Sequence, residues 1–212
     1  MSSNRSGRDF IARHGETVFN AARRLQGHHP HTPLTRAGFA QADEMGRALR
    51  RTLGARPALA LWASPTGRAL QTLAVIAEHL ELDWHRAATD PRLGEIDVGS
   101  WGGRYYEELI ADIGPMFDAE TGILRPAPDG EAYPTIADRL RGWLADTHDA
   151  PGDRLVIMHG ISSGVLRGMM TGQAPLPAIG APFARALPQG SVVMIDHGAE
   201  TIVHRGLGHA PA

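Results

Sequence analysis

Phe10-Ile11-Ala12-Arg13-His14-Gly15-Glu16-Thr17 joins the first apolar run of the chain to a histidine set between arginine and glycine. Three consecutive apolar residues, with Asp9 at their start, read as a short strand buried on both faces. A histidine directly beyond such a strand is a nucleophile held by rigid backbone. The arginine beside it is an anion clamp whose planar fork matches phosphate oxygens.

Working outward, Leu59-Ala60-Leu61-Trp62-Ala63 is a second continuous apolar run, bounded by Ser64-Pro65. Arg154-Leu155-Val156-Ile157-Met158 is a third, followed by His159-Gly160 and a helix through Met170. The spacing predicts a helix over Leu34 to Leu53, with Thr35 as N-cap and Phe39, Ala42, Met45, Gly46, Leu49 and Leu53 on its apolar face. A second helix is expected from Thr66 to Leu80, with Ala69, Leu73, Ile76, Ala77 and Leu80 inward. Ser191 to Asp196 and Thr201 to Arg205 flank Gly198 as a terminal hairpin. This alternation of fully apolar strands with helices implies an α/β domain around a mainly parallel sheet.

If those strands are parallel, the Arg13-His14, Ser64-Pro65 and His159-Gly160 signatures share one sheet edge. Ligands of open α/β sheets bind there, beyond the carboxyl ends of the strands. Arg68 falls in the first turn of its helix, where free N–H groups already favour an anion. Gly99 to Pro134, rich in Gly, Pro and acidic residues, reads as a lid-like insertion or a surface connection. Residues 1–8 read as a loosely held tail, and residues 9–212 as one domain.

The 212 residues are 42% hydrophobic and 21% charged, ordinary for a chain with a real core. A formal net charge of −2 argues against a nucleic-acid binder that relies on a global positive field. All 21 basic residues are arginine, so every cationic site carries a guanidinium suited to bidentate phosphate binding. With no cysteine, thiolate nucleophiles and thiolate zinc sites are excluded. No apolar run approaches the ~20 residues of a membrane span, and the polar start lacks a signal-peptide core. A cytoplasmic protein is the expectation, with oligomeric state open, a homodimer included.

Together these strings resemble the histidine phosphatase superfamily, which includes the cofactor-dependent phosphoglycerate mutases. The matching residues are Arg13-His14-Gly15 with Glu16-Thr17 and Asn20, Gln26-Gly27, Pro33-Leu34-Thr35 and Gln41-Ala42. They continue with Ser64-Pro65, Arg68-Ala69, Gln71-Thr72, Leu93, Glu95, Gly99, Trp101, Gly130-Glu131 and His159-Gly160, in family order over about residues 10 to 170. The resemblance implies a three-layer α/β/α sandwich with a mainly parallel central sheet, phosphoglycerate mutase-like. It also implies a metal-independent phosphomonoesterase, without cofactor, acting on a small phosphorylated metabolite. His14 would form a phosphohistidine while Arg13, Arg68 and His159 hold the phosphoryl oxygens. Glu95 resembles the family's general acid/base, and Thr17, Asn20, Gln26, Gly27 and Gly160 its phosphate or substrate contacts. A histidine with an ordinary pKa of roughly 6.5 needs little help to be neutral near pH 7, and two guanidiniums push it that way.

The sequence departs from commoner family strings in three places. No glutamate follows Trp101, Ala132 follows Gly130-Glu131, and Ile161 follows His159-Gly160. The run Glu95-Ile96-Asp97-Val98-Gly99-Ser100-Trp101 looks like the phosphatase branch, with mutase-type transfer between hydroxyls as the alternative. From a different class, Gly160-Ile161-Ser162-Ser163-Gly164 fits the G-x-S-x-G elbow of a serine hydrolase, with Asp196 and His204 or His209 in triad order. His28, His29 and His31 offer imidazoles for a metal, but their Pro-interrupted spacing puts no two on a helix face, and a solvated loop is expected.

Overall fold

The computed structural model describes residues 5–208, and its centre is a six-stranded sheet in the order β3-β2-β4-β1-β5-β6. The strands are β1 (Asp9–Arg13), β2 (Leu59–Ala63), β3 (Ala88–Thr89), β4 (Asp153–Met158), β5 (Val192–Asp196) and β6 (Ala199–His204). β3, β2, β4 and β1 run parallel, while β5 and β6 close the other edge as the expected antiparallel hairpin. Thus β2, β4 and β1 are immediate parallel neighbours, and their carboxyl ends do share one edge.

Helices cover both faces because the apolar strands alternate their side chains between two cores. Phe10 and Ala12 of β1 and Leu155 and Ile157 of β4 face α2 (Arg36–Leu53) and α3 (Gly67–Leu80). Ile11, Val156 and Met158 face the opposite core, which α5 (Tyr133–Asp146) and α6 (Gly160–Met170) complete with Ile136, Leu140, Trp143, Val165 and Leu166. The result is the three-layer sandwich. Among the described residues no helix is long and apolar enough to cross a membrane.

Three local expectations change. The buried stripe of α2 runs through Gly38, Ala42, Met45, Gly46 and Leu49, so Phe39 lies one residue off it and is 43% exposed. The segment from Gly99 to Pro134 is not a bare surface connection. It contains α4 (Tyr106–Ile113) and a bridge between Phe117 and Leu124, and it buries Leu109, Met116, Ile123, Leu124 and Ala127 against the α5–α6 core. The tail is pinned from Arg5 onward: Arg5 donates to the Ala150 and Gly152 carbonyls, and Arg8 pairs with Asp153 at 2.6 Å. Its first four residues lie outside the described residues.

Two glycines bring the His14 loop against α2. A Cβ on Gly38 would lie far inside contact distance of the Glu16 carbonyl oxygen, and one on Gly15 would strike the Gly38 carbonyl. Helix propensity alone makes Gly38→Ala stabilising by about 1 kcal/mol. The clash with rigid backbone outweighs that gain, since overpacking at the upper end of roughly 1–3 kcal/mol leaves a net loss of about 2 kcal/mol. The expected outcome is a Tm lowered by roughly 2–10 °C; a Tm equal to or above wild type in a thermal melt would sink this account.

Candidate active site

His14 follows β1 and His159 follows β4, and the register pairing Arg13 with Met158 puts the two histidines side by side. The His14 N–H donates to the Met158 carbonyl at 3.0 Å, and the two imidazole rings lie 5.1 Å apart, edge to face. The loop beyond β1 is fixed by side chains that belong to the matching strings. Thr72 Oγ1 accepts from the Gly15 N–H at 3.2 Å and Gln41 Oε1 from the Glu16 N–H at 2.8 Å. Thr35 donates to Glu16 at 2.7 Å, and Gln71 Oε1 accepts from the Leu34 N–H at 2.9 Å. These residues hold the backbone of the loop that carries His14.

Hydrogen bonds assign both imidazole tautomers. His14 Nδ1 lies 2.7 Å from the Gly15 carbonyl, which can only accept, so Nδ1 carries the proton and Nε2 presents a lone pair. Arg68 Nε, which can only donate, lies 3.2 Å from His159 Nδ1. His159 therefore carries its proton on Nε2, a buried donor with no partner among the described residues. Burial, then Arg68, then Arg13 hold His14 well below its ordinary pKa. For His159 the causes are burial first, then Arg68, His14 and Arg13. The site thus presents His159 as a neutral N–H donor.

Arg68 is fully buried in the first turn of α3, and its guanidinium is held on three further sides. It donates to the His29 carbonyl at 2.7 Å, Thr32 Oγ1 at 3.0 Å and the Gly27 carbonyl at 2.9 Å. Gly27 thus acts through Arg68, and Thr32 is a supporting residue that its sequence context did not single out. Arg13 is held by the Leu187 carbonyl at 2.6 Å. Burial pushes both guanidiniums down to about 10, which leaves them charged at neutral pH.

Glu95 is buried with its carboxylate at the start of α6. Oε1 accepts from the N–H groups of Ile96 (3.0 Å) and Ser162 (2.9 Å), and Oε2 from Ile161 (3.1 Å). The helix amides that could meet a substrate anion are thereby partly taken by the protein's own carboxylate. Two bonds fill the acceptor sites of Oε1, leaving Oε2 with one lone pair for a proton. Behind Glu95, Arg139 forms a two-point pair with Glu131 (2.8 and 3.0 Å), and Glu131 bonds the backbone of Asp97. A Cβ on Gly130 would crowd the Asp97 carbonyl. The Gly130-Glu131 string is therefore a brace for the Glu95 segment, and Arg139 is its unforeseen partner.

Arg13, His14, Gln26, Gly27, Arg68 and Glu95 line one small space, closed by Leu25, Ile96, Val98 and Leu124 and enclosing about 20 Å³. That is room for about one water. Thr17 and Asn20 do not line it. They form the capping box of α1 (Val18–Ala21), and Thr17 donates to Gln26 at 2.7 Å, so they orient Gln26. Gly160, the first residue of α6, opens instead on a larger neighbouring cavity. His28, His29 and His31 are exposed, and among the described residues no three His, Cys, Asp or Glu gather as a metal site.

The serine-hydrolase reading fails on geometry. His159, not Ser162, occupies the strand-to-helix turn, and the buried Ser162 Oγ has no hydrogen-bond partner among the described residues. Asp196 pairs with His197, and His204 lies 3.7 Å from Glu44. His209 lies outside the described residues.

Holding two imidazoles neutral has a signed cost in acid. The unfolded chain takes up protons as pH falls through about 6.5, while the folded site refuses them. Stability present above that value is therefore lost below it. In urea titrations between pH 7.5 and 5, a His14→Asn/His159→Asn variant should lose less stability than wild type; equal losses would contradict the assignment.

A family model described as "Histidine phosphatase superfamily (branch 1)" matches residues 10–206. A relative from Enterobacter sp. (strain 638), named "Probable phosphoglycerate mutase GpmB", is 36% identical over 180 residues, 80% of this chain and 75% of its own. One of the same name from Erwinia tasmaniensis is 32% identical over 195 residues, 89% of this chain and 84% of its own. The structure of a mycobacterial glucosyl-3-phosphoglycerate phosphatase complexed with VO3 has the same fold, with a TM-score of 0.73. It is 24% identical and the match covers 89% of this chain and 92% of that one. The chain, whose paired histidines and two buried guanidiniums gather at one sheet edge, thus belongs to the histidine phosphatase superfamily.

Proposed function

We propose that the protein is a cytoplasmic phosphomonoesterase that hydrolyses a small phosphorylated metabolite through a phosphohistidine on His14, without metal or cofactor. The lone pair of His14 Nε2 attacks phosphorus, and the bond from phosphorus to the ester oxygen breaks in line. Arg13, Arg68 and the Nε2–H of His159 stabilise charge on the equatorial oxygens. Glu95, protonated at Oε2, gives its proton to the departing alkoxide. It then takes a proton from water, whose oxygen attacks phosphorus as the phosphorus–nitrogen bond breaks and its electron pair returns to Nε2.

The observation that carries this reading is His14, two guanidiniums and one carboxylate around one small space, with the His159 ring 5.1 Å from that of His14 and its buried Nε2–H without a partner among the described residues. Hydrolysis is favoured over transfer by the run Glu95-Ile96-Asp97-Val98-Gly99-Ser100-Trp101, which resembles the phosphatase branch of the family. Transfer between hydroxyls is the reading that the relatives' names favour. The two separate by product: inorganic phosphate from any substrate, or phosphate moved to an added acceptor alcohol.

His14→Ala should reduce phosphatase activity by at least about 10⁴-fold, since the nucleophile and its half-reactions vanish together. Ser162→Ala should keep most of it. Loss of activity with intact folding in the serine variant, or its retention in the histidine variant, would overturn the assignment.

Glu95→Gln separates the half-reactions. With a 4-nitrophenyl ester, whose leaving group needs no proton, a burst of one nitrophenolate per chain should precede turnover slowed by roughly 10²–10⁴-fold. Mass analysis should find the phosphate on His14. Uniform slowing of both phases would remove Glu95 from the water-activating role.

A further inference from the structure

Beside the catalytic space lies a cavity of about 580 Å³, between the Phe117–Leu124 bridge and the loop after α6. Phe117, Ile123, Leu124, Ile161, Leu176 and Phe183 make it mainly apolar, and Arg185 is the one charged residue on its lining. The volume is that of a small-molecule site, within the usual ~300–1,000 Å³.

Two connections tie it to the chemistry. Leu124 lines both this cavity and the space in front of His14. Ile161, on its wall, donates its N–H to Glu95 Oε2, the oxygen assigned to the proton. The catalytic space cannot contain an organic leaving group, and that group must leave on the side of Glu95. Leu124 and the Glu95–Ile161 bond lie between the two volumes there.

Resting on the phosphomonoesterase reading, we infer that this cavity binds the alcohol part of the substrate. It selects a bulky, mainly apolar alcohol that carries an anionic group for Arg185. The guanidinium of Arg185 has no hydrogen-bond or ion-pair partner among the described residues, and its backbone is fixed by Arg167, which donates to the Arg185 carbonyl at 3.0 Å. Leu124 turns aside as the ester spans both volumes. Small polar esters such as phosphoglycerates leave most of this surface wet and gain little from it.

The test compares three primary alkyl phosphates, so that leaving-group acidity stays nearly constant: ethyl, 4-phenylbutyl, and 4-phenylbutyl carrying a para-carboxylate. Each buried methylene multiplies binding roughly fourfold, so kcat/KM should rise by on the order of 10²-fold from ethyl to phenylbutyl. The carboxylate should add several-fold more, and Arg185→Gln should erase that gain alone. Ala186→Trp and, separately, Leu176→Trp should fill the cavity and cancel the phenylbutyl advantage, with the ethyl phosphate rate reporting an intact fold and site. Equal kcat/KM for ethyl and phenylbutyl esters would overturn the inference. So would a carboxylate effect untouched by Arg185→Gln, or a Trp variant that keeps the full advantage. Phosphate found on His14 with ethyl phosphate would leave the hydrolase reading standing through such a failure; its absence with all three esters would sink that reading instead.

Discussion

The guanidinium of Arg68 is the tie on which the site depends. It reaches from α3 to His159 beyond β4 and to three oxygens of the loop from Gly27 to Thr32. A lysine could not do this, because one ammonium cannot aim planar donors in four fixed directions. The same bonds that position the guanidinium also set the His159 tautomer. Structure and proton placement are therefore one event: moving Arg68 would free both a loop and an imidazole.

Two buried guanidiniums, one buried carboxylate and two neutral imidazoles make a site one positive charge in excess. Burying the cations costs desolvation, visible as the lowered Arg13 and Arg68 values, and the phosphoryl dianion of the proposed substrate would compensate the excess charge. The protein uses its own Glu95 to cap α6 meanwhile. That cap leaves one lone pair of Oε2 unused, so one helix start would serve both folding and the proposed proton transfer.

The strands and their ends were legible because β1, β2 and β4 are apolar on both faces and each stops at a polar signature. His14, Arg68 and His159 could be placed on one edge from that alone; Glu95 came from resemblance, since nothing in its own segment marks a sheet edge. The helix α5 was also written in the pattern, with Tyr133, Ile136, Ala137, Leu140 and Trp143 at helical spacing, but Pro134 masks it. Proline in a first helical turn costs no hydrogen bond, yet it reads as the end of a loop when the preceding residues are Gly- and Pro-rich. β3 pairs over two residues, too few for any periodicity. Thr32 and Arg139 were invisible because their roles are made by partners distant in sequence.

In the proposed reaction, chemistry and selectivity occupy different parts of the molecule. The phosphoryl group would be met by residues from the ends of three rigid strands and their helices, which would fix geometry within the tolerance that in-line displacement needs. The organic part would meet side chains of the Gly99-to-Pro134 segment and the loop after α6, where sequence can change without disturbing the sheet. Leu124 belongs to both regions. Contact between a substrate's apolar portion and this residue would translate remote binding into access to His14, so affinity for the alcohol is expressed as rate at phosphorus. A substrate too small to fill the cavity would react at His14 without that gain.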